Sequence, residues 1–450
     1  MEQHVTQFLQ RHYDPAKPVL LALSGGPDSL ALLHLLLRYR ETAPLTFGIA
    51  HVDHSWREES EKEALLLQAL ADKAKLPFHL KKLPKPTFLK NLEEEGRLKR
   101  LEFYREICRA HGYQAVLLAH HADDQAETVL KRVLEGASLP FLCGLKPSTE
   151  VEGVKLWRPL LGVSKQTLQK WLQSNNLQGF SDATNVDPLF LRGRMRSHIL
   201  PGLAEEFGKG IAASLERVGK EALELQDYMD ERIAGHCARI EESPWGLSLD
   251  LSENLPLHRF ELGYLIRKFC RLRDFVLSRT ALETAIECVQ AKVANKHVEQ
   301  GQAILYIDRG RLFILDKRVT FPEGMQPLTE GQWGPWKLSL TPAMRPTILP
   351  KTGWREVWKG TFEIWVPEGE YLLGLASMND PFPGKSPLGK WLNDGKVPAF
   401  MRSLVPVVWQ NGKIFFEMLS GRAPRLNETP KLGWNLRFDL LIPKELCDRI

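Results

Sequence analysis

The chain has 450 residues and a mass of 51.3 kDa, a length that suggests two to four domains at roughly 100–200 residues each. Hydrophobic residues make up 43% and charged residues 26%, which excludes a disordered chain and leaves ample apolar material for a core. A formal net charge of +5 excludes a histone-like or strongly acidic protein, and as a whole-chain figure it is silent on a nucleic-acid partner. The average conceals an asymmetry. Residues 331–450 carry 16 Lys and Arg against 11 Asp and Glu, and eight of the 12 Trp. Residues 1–330 are neutral, with 44 of each sign.

The first 180 residues alternate in pattern. Val19–Leu23 is a continuous apolar run that meets a glycine turn, as a buried parallel strand does. Helical periodicity follows over Asp28–Arg40, a strand over Leu45–Val52 and a helix over Arg57–Ala74. Pro77–Leu83 reads as a short strand, Asn91–Ala110 as a charged helix, Ala115–Ala119 as a buried strand and Ala122–Leu134 as a helix. Strand and helix in alternation imply parallel pairing with right-handed crossovers, hence a doubly wound α/β domain. Leu203–Arg239 and Arg259–Lys292 read as long helices. Ala303–Ile307 and Arg311–Leu315, split by Asp308-Arg309-Gly310, read as a hairpin. Phe321–Gln332, with two Pro and two Gly, is the best linker candidate. The expected division is a catalytic α/β domain over 1–202, a mostly helical middle domain over 203–320 and a small α+β domain over 331–450. The eight late Trp are expected chiefly in the core of that last domain.

Six scattered cysteines with no C-x-x-C pair argue against a disulfide scaffold and against a zinc or iron–sulfur site. The polar N-terminus shows no signal peptide, and no apolar run approaches the ~20 residues of a membrane span. A cytoplasmic protein with no membrane partner is the reading.

The strongest local signal is Ser24-Gly25-Gly26-Pro27-Asp28-Ser29, directly after a strand and opening a helix. Paired glycines let the backbone turn tightly and approach an anion. The N–H groups and positive end of the following helix favour phosphate. Ser24 and Ser29 add hydroxyls, and the Asp28 carboxylate can hold Mg²⁺ beside phosphates. Two further polar clusters follow strands: His51-Val52-Asp53-His54, and His120-His121-Ala122-Asp123-Asp124 with Glu127. In an open parallel sheet such strand ends face one crevice. Asp123, Asp124 and Glu127 can share a helix face, bind Mg²⁺ or receive a cationic amine, or cap the helix. The His pairs have no Cys partners and Asp-rich neighbours, which favours nucleotide contacts over zinc.

The S-G-G-x-D-S loop resembles the pyrophosphate-binding loop of the ATP-pyrophosphatase (PP-loop) superfamily. H-V-D-H-S-W-R-E-E-S with H-H-A-D-D-Q-A-E-T-V-L narrows the resemblance to the tRNA(Ile)-lysidine synthetases. So do Asn91-Leu92-Glu93 with Arg97 and Arg100, Trp157-Arg158-Pro159-Leu160-Leu161, and Asp182-Ala183-Thr184-Asn185 with Arg192, Arg194 and Arg196. Lys390-Trp391-Leu392, Val397-Pro398, Arg402 and Pro406-Val407 resemble that family's C-terminal signature. Gly193, Met195 and Glu135 depart from the family pattern, Glu135 replacing a usual Arg.

The resemblance implies ATP-dependent attachment of L-lysine to C2 of the first anticodon cytidine of a tRNA(Ile) with a CAU anticodon, through an adenylated cytidine. It also implies roles. Ser24, Gly25, Gly26, Pro27 and Ser29 hold phosphates. Asp28, Asp124 and Glu127 are the Mg²⁺ candidates. Asp53, Asp123, Asp124 and Glu127 divide metal and lysine recognition, and His54 or His120 serves the adenylation step. Arg97, Arg158, Arg192, Arg194, Arg196 and Arg402 face RNA or nucleotide phosphate. A homodimer is compatible with the reading. The rivals are another PP-loop tRNA-modifying enzyme, such as a thiolase, and a non-catalytic RNA-binding protein on the same fold.

Overall fold

The structure, a computed structural model, describes all residues except 54–59, 85–91, 178, 180–190, 254–256, 302, 317–323, 348–351, 423–431 and 442–450. The chain forms two compact units, Met1–Tyr228 and Met229–Ile450.

In the first unit, helix α1 (Glu2–His12) leads into strand β1 (Val19–Ala22), helix α2 (Pro27–Thr42) and strand β2 (Phe47–Asp53). Helix α3 (Ser60–Lys73), β3 (Phe78–Lys82), α4 (Leu92–His111), β4 (Val116–Leu117) and α5 (Ala122–Leu134) follow. A hairpin, β5 (Ser148–Val151) and β6 (Val154–Trp157), precedes α6 (Lys165–Ser174). The sheet order is β3-β2-β1-β4-β6-β5, parallel except for the edge strand β5. Alternation explains why β1 is apolar throughout. Val19 and Leu21 enter one core with α1, α2 and α6, while Leu20 enters a second with Leu101, Tyr104 and Ile107 of α4. The β5–β6 hairpin is missing from the strand pattern read in the sequence. Its residues alternate polar and apolar around Glu152-Gly153, both at positive φ, so no continuous apolar run marks it. The unit continues with α7 (Leu191–Arg194), a π-helical turn over Met195–Ile199, and α8 (Leu200–Glu206). Helix α9 (Ile211–Cys237) carries the chain into the second unit.

The second unit opens with β7 (Ile240–Ser243) and β8 (Gly246–Asp250), then α10 (Arg259–Arg271) and α11 (Arg279–Gln290). Strands β9 (Lys296–Gln300), β10 (Ala303–Asp308) and β11 (Arg311–Leu315) complete an antiparallel sheet of order β7-β8-β11-β10-β9. The sequence reading finds only the β10–β11 hairpin of these five strands. Next come β12 (Gln326–Pro327), β13 (Gly331–Trp333), β14 (Trp336–Met344), α12 (Trp354–Trp358), β15 (Thr361–Pro367) and β16 (Leu372–Gly374). Helix α13 (Leu388–Asp394), β17 (Val407–Gln410), β18 (Lys413–Phe416) and β19 (Leu432–Leu440) end the described fold. Two four-stranded sheets result, β12-β16-β17-β18 and β13-β14-β19-β15. Residues of the expected linker thus pair as edge strands, where Pro and Gly are tolerated. Six of the eight late Trp are buried and Trp391 and Trp434 are half-buried. Trp245 and Phe313 belong to the same apolar cluster as Trp336, Trp354 and Trp358. The core of this unit therefore runs across residues 245–438.

No helix among the described residues is long and apolar enough to cross a membrane.

Candidate active site at the ends of the parallel strands

The chain runs outward from β1 to β2 and β3, then crosses to β4 on the other side. The crevice beyond β1 and β4 is therefore the topological switch point, where ligands bind in open α/β sheets. The glycine loop and the His120–Glu127 cluster flank it.

Gly25 sits at φ +86°, a left-handed conformation that favours glycine. Gly26 is the N-cap of α2 and Pro27 its first residue, a position that loses nothing from the missing N–H. Ser29, buried, donates its hydroxyl to the Gly26 carbonyl at 3.0 Å and accepts from Ser24 Oγ at 3.1 Å. The two hydroxyls thus brace the turn from inside. Asp28 stands in the first turn with its side chain 30% exposed.

Across the switch point, His121 is the N-cap of α5. Its backbone N–H donates to Asp124 Oδ2 at 2.9 Å, and its Nδ1 lies 3.2 Å from the Asp123 N–H. Asp124 thus caps the His121 N–H as the Glu of a capping box does, and the His121 ring, when protonated on both nitrogens, turns Nδ1 to Asp123 Oδ2, 3.5 Å away. Capping and chemistry coexist here, because His121 Nε2 also lies 3.5 Å from Asp28 Oδ2 and 3.6 Å from Asp124 Oδ2. One buried imidazole therefore joins the glycine loop to the acidic cluster. Burial opposes its charge, but hydrogen bonding to Asp123 and Asp28 and the field of Asp124 carry its pKa up to about 10. His120 goes the other way. Burial, aided by Arg158, Arg192 and His121, pushes it down to about 4 against the pull of Asp124. Its Nδ1 has no partner.

Arg196 closes the cluster. It projects from the π-helical turn, a local widening common at functional sites. Its guanidinium donates to Asp124 Oδ1 at 2.6 Å and to Glu127 Oε1 at 2.5 Å. Both carboxylates are buried. Burial raises the Glu127 pKa despite Arg196, whereas His121, His120 and Arg196 overcome burial and hold Asp124 low. Glu127 Oε2 is left without a partner. Asp123 faces outward, accepts the Lys165 N–H at 2.8 Å, and is held low first by His121.

The remaining candidates divide. Asp53 is buried at the end of β2, and His51 is pinned to the Leu23 carbonyl at 2.8 Å, tying the second strand end to the loop's entry. Arg158 follows β6, is buried, and donates to the Lys146 carbonyl and Thr149 Oγ1 at 2.8 and 3.0 Å. Its Nε has no partner, and burial lowers its pKa to about 10. Arg192 is half-buried and its charge reaches His120 and Glu127, while Arg194 is exposed. Arg97, exposed on α4, pairs with Glu94 at 2.7 Å. Arg402 lies in the second unit, donating to Asn393 Oδ1 and the Val397 carbonyl. His54, Asn91 and Asp182–Asn185 lie outside the described residues.

Sequence reasoning missed Gly179. A Cβ there would stand 2.6 Å from Pro27 Cα and N, so the Gly179 backbone lies directly against the glycine loop. Only the spacing in space marks it. For metal, the described residues offer no group of three or more His, Cys, Asp or Glu arranged as a cage. Mg²⁺ ordinarily takes one or two carboxylates and completes its shell with phosphates and water. Asp28 fits that partial role by position and exposure, whereas Asp124 and Glu127 already hold Arg196. Buried thiols are poor nucleophiles: burial pushes Cys108 to about 11 and Cys270 to about 12.

A phosphate-type glycine loop at the switch point of a parallel sheet defines the class. Residues 1–203 match the PP-loop domain family, and the domain binds ATP. Over 421 residues the chain is 36% identical to the tRNA(Ile)-lysidine synthase of Protochlamydia amoebophila, covering 93% of this chain and 92% of that protein. The namesake enzyme of Chlamydia muridarum is 36% identical over 299 residues, 66% of this chain and 92% of its own. Among solved structures, a tRNA thiolase of Methanococcus maripaludis is similar over 50% of this chain and 78% of its own, at 19% identity and a TM-score of 0.42. The chain belongs to the tRNA(Ile)-lysidine synthase family.

Proposed function

We propose that this protein is a cytoplasmic ligase that joins L-lysine to C2 of the first anticodon cytidine of a CAU-bearing tRNA(Ile). The observation that carries the reading is the His121 bridge from Asp28 to Asp124, which joins a nucleotide loop to a carboxylate cluster in one crevice.

The chemistry follows from the parts. The cytosine C2 oxygen is a poor leaving group. Attack of that oxygen on the α-phosphorus of ATP releases pyrophosphate and makes it a good one. The lysine ε-amine, having lost a proton, then bonds to C2 and AMP departs. The glycine loop and the α2 N-terminus present N–H groups to the pyrophosphate. Asp28 would hold the Mg²⁺ that accompanies ATP and shields phosphate charge. Arg158, which follows β6, and Arg192 both carry charge that reaches His120 beyond β4, and both can face an adenylate. Asp53 and Asp123 are acidic groups to which the lysine ammonium can turn. The target base must enter a crevice, so the anticodon loop is opened on binding.

The test is direct. With ATP, Mg²⁺, labelled lysine and a CAU tRNA(Ile), label should enter the tRNA with release of AMP and pyrophosphate. Asp28→Ala should lower the rate of pyrophosphate release at least 100-fold. Wild-type rates from that variant would remove the loop assignment, and an unlabelled tRNA from the wild type would remove the whole reading.

A further inference from the structure

If RNA is the substrate, this chain needs surfaces on which unpaired bases can stack. The late tryptophans supply little, since six of eight are buried in the core. A different aromatic pair, Tyr306 and Phe400, packs against that core but stays half-exposed. A cavity of about 270 Å³ lies within the second unit, bounded by Asn295, Lys296, His297, Tyr306, Asp308 and Phe400.

Its construction follows from strand register. Tyr306 on β10 pairs with His297 on β9 and with Phe313 on β11, so the three share one face of the sheet. Neighbouring Leu305 and Ile307 point to the other face and are fully buried. On the open face Tyr306 stacks on Phe400 at 4.5 Å and 29°, and His297 lies 6.3 Å from Tyr306. Phe400 is fixed from behind by Phe313 at 5.1 Å. The Asn295 side chain accepts the Ala399 N–H at 2.8 Å, and the Asn295 backbone N–H donates to Asp308 Oδ1 at 3.2 Å. The wall is thereby held rigid without filling the cavity.

The surroundings are cationic. Lys296 lines the cavity and is exposed. Arg309 and Arg311 both pair with Asp308, and Arg311 also donates to the Lys396 carbonyl. Arg402 stands close enough to Arg309 for the two charges to oppose each other. Lys296, Arg309, Arg311 and Arg402 outnumber the neighbouring acids by one, those acids being buried Asp308, Asp250 beside Arg311, and Glu299, which lies 3.4 Å from His297 Nε2. The Tyr306–Phe400 pair lining the cavity and the exposed Lys296 ammonium beside it suit a flat ring attached to a phosphate.

We propose that this cavity receives one unpaired nucleotide of the bound RNA, its base stacked against the Tyr306–Phe400 wall and its phosphate near Lys296. The proposal rests on the tRNA-modifying reading for the identity of the RNA, and it places a second point of contact within residues 295–400.

The test uses the full chain. The wild-type protein is irradiated with a CAU tRNA(Ile) transcript containing 4-thiouridine, and cross-linked peptides are mapped by mass spectrometry. A nucleotide should be found on His297, Tyr306 or Phe400. In parallel, Tyr306→Leu should raise the tRNA Kd roughly tenfold, the size a stacked base contributes. Tyr306→Phe, which keeps the ring, should restore it, and the turnover of Tyr306→Leu at saturating tRNA should stay at the wild-type value. No cross-link at these residues, or a Tyr306→Leu Kd within twofold of wild type, overturns the proposal. If Tyr306→Leu does not fold, the wild-type cross-link decides alone. Loss of lysidine formation in the wild type would sink the functional reading while leaving the cross-link result to stand or fall separately.

Discussion

Arg196 shows how much one side chain can carry. It is 22% exposed, yet its single charge is shared by two carboxylates that are 7% and 3% exposed at the side chain. Replacing it by Ala leaves Asp124 and Glu127 facing each other in a buried site. Breaking a buried pair from one side costs about 3 kcal/mol or more, so Arg196→Ala should lower the unfolding free energy by that amount, as read by urea denaturation. Arg196→Lys keeps the charge but cannot reach both carboxylates with one planar fork, and should fall between. Gly179 is the converse case, important for having no side chain. Gly179→Ala puts a methyl 2.6 Å from the Pro27 backbone and must displace the glycine loop. We expect the ATP KM to rise about tenfold, roughly 1.4 kcal/mol, with little change in the thermal midpoint. An unchanged ATP KM would show that the loop's work does not depend on the close approach of Gly179. The residue types of the site are legible in the sequence, because Gly-Gly, Asp and His at strand ends have few other uses. Their pairings are not: the arginine that meets Asp124 and Glu127 comes from 69 and 72 positions away, and no local pattern encodes that.

At the scale of elements, the parallel strands are legible because they are buried on both faces and read as unbroken apolar runs. The polar strands β5, β7 and β9 escape notice because pairing, not composition, makes them strands. Helix α5 is legible in extent, but its cap is a His rather than the usual Ser, Thr, Asp or Asn. One element-level contact gives a clean test. A Cβ on Gly48 of β2 would lie 2.1 Å from the Tyr113 hydroxyl, so the strand and the α4–β4 connection are fitted to a bare glycine. Gly48→Ala should destabilise the first unit by about 1–3 kcal/mol through overpacking. Adding Tyr113→Leu should recover part of the loss, as read by urea unfolding of the double variant. Equal stabilities for Gly48→Ala with and without Tyr113→Leu would mean the ring is not the obstacle.

The whole molecule is two units, and the second has a core shared along its length. Trp245 donates its indole N–H to the Val357 carbonyl at 2.9 Å, and Trp336 stacks edge-on against Trp245 at 5.4 Å. A chain ending at residue 316 would expose Trp245 and Phe313 to water. In such a truncation, amides of β8 and β11 should exchange with solvent far faster than in the full chain, while β1 and β4 keep their protection. Equal protection of β8 and β11 in both chains would show that residues 240–316 hold a core of their own. The same coupling means that deleting residues 331–450 tests folding as much as RNA binding, and point variants on the open Tyr306 face are the sharper probe.

The sequence by itself determined the doubly wound sheet, the glycine loop and the acidic cluster, since these rest on local patterns of burial and backbone geometry, and its motifs resembled those of the family. It also located the positive excess of the last 120 residues. Only the tertiary structure decided that His121 bridges Asp28 and Asp124, that Arg196 occupies the buried carboxylates and that Gly179 lies against the loop. Each of these is a contact between segments far apart in the chain. Chain order places no constraint on such meetings until the sheet has fixed where its strand ends lie.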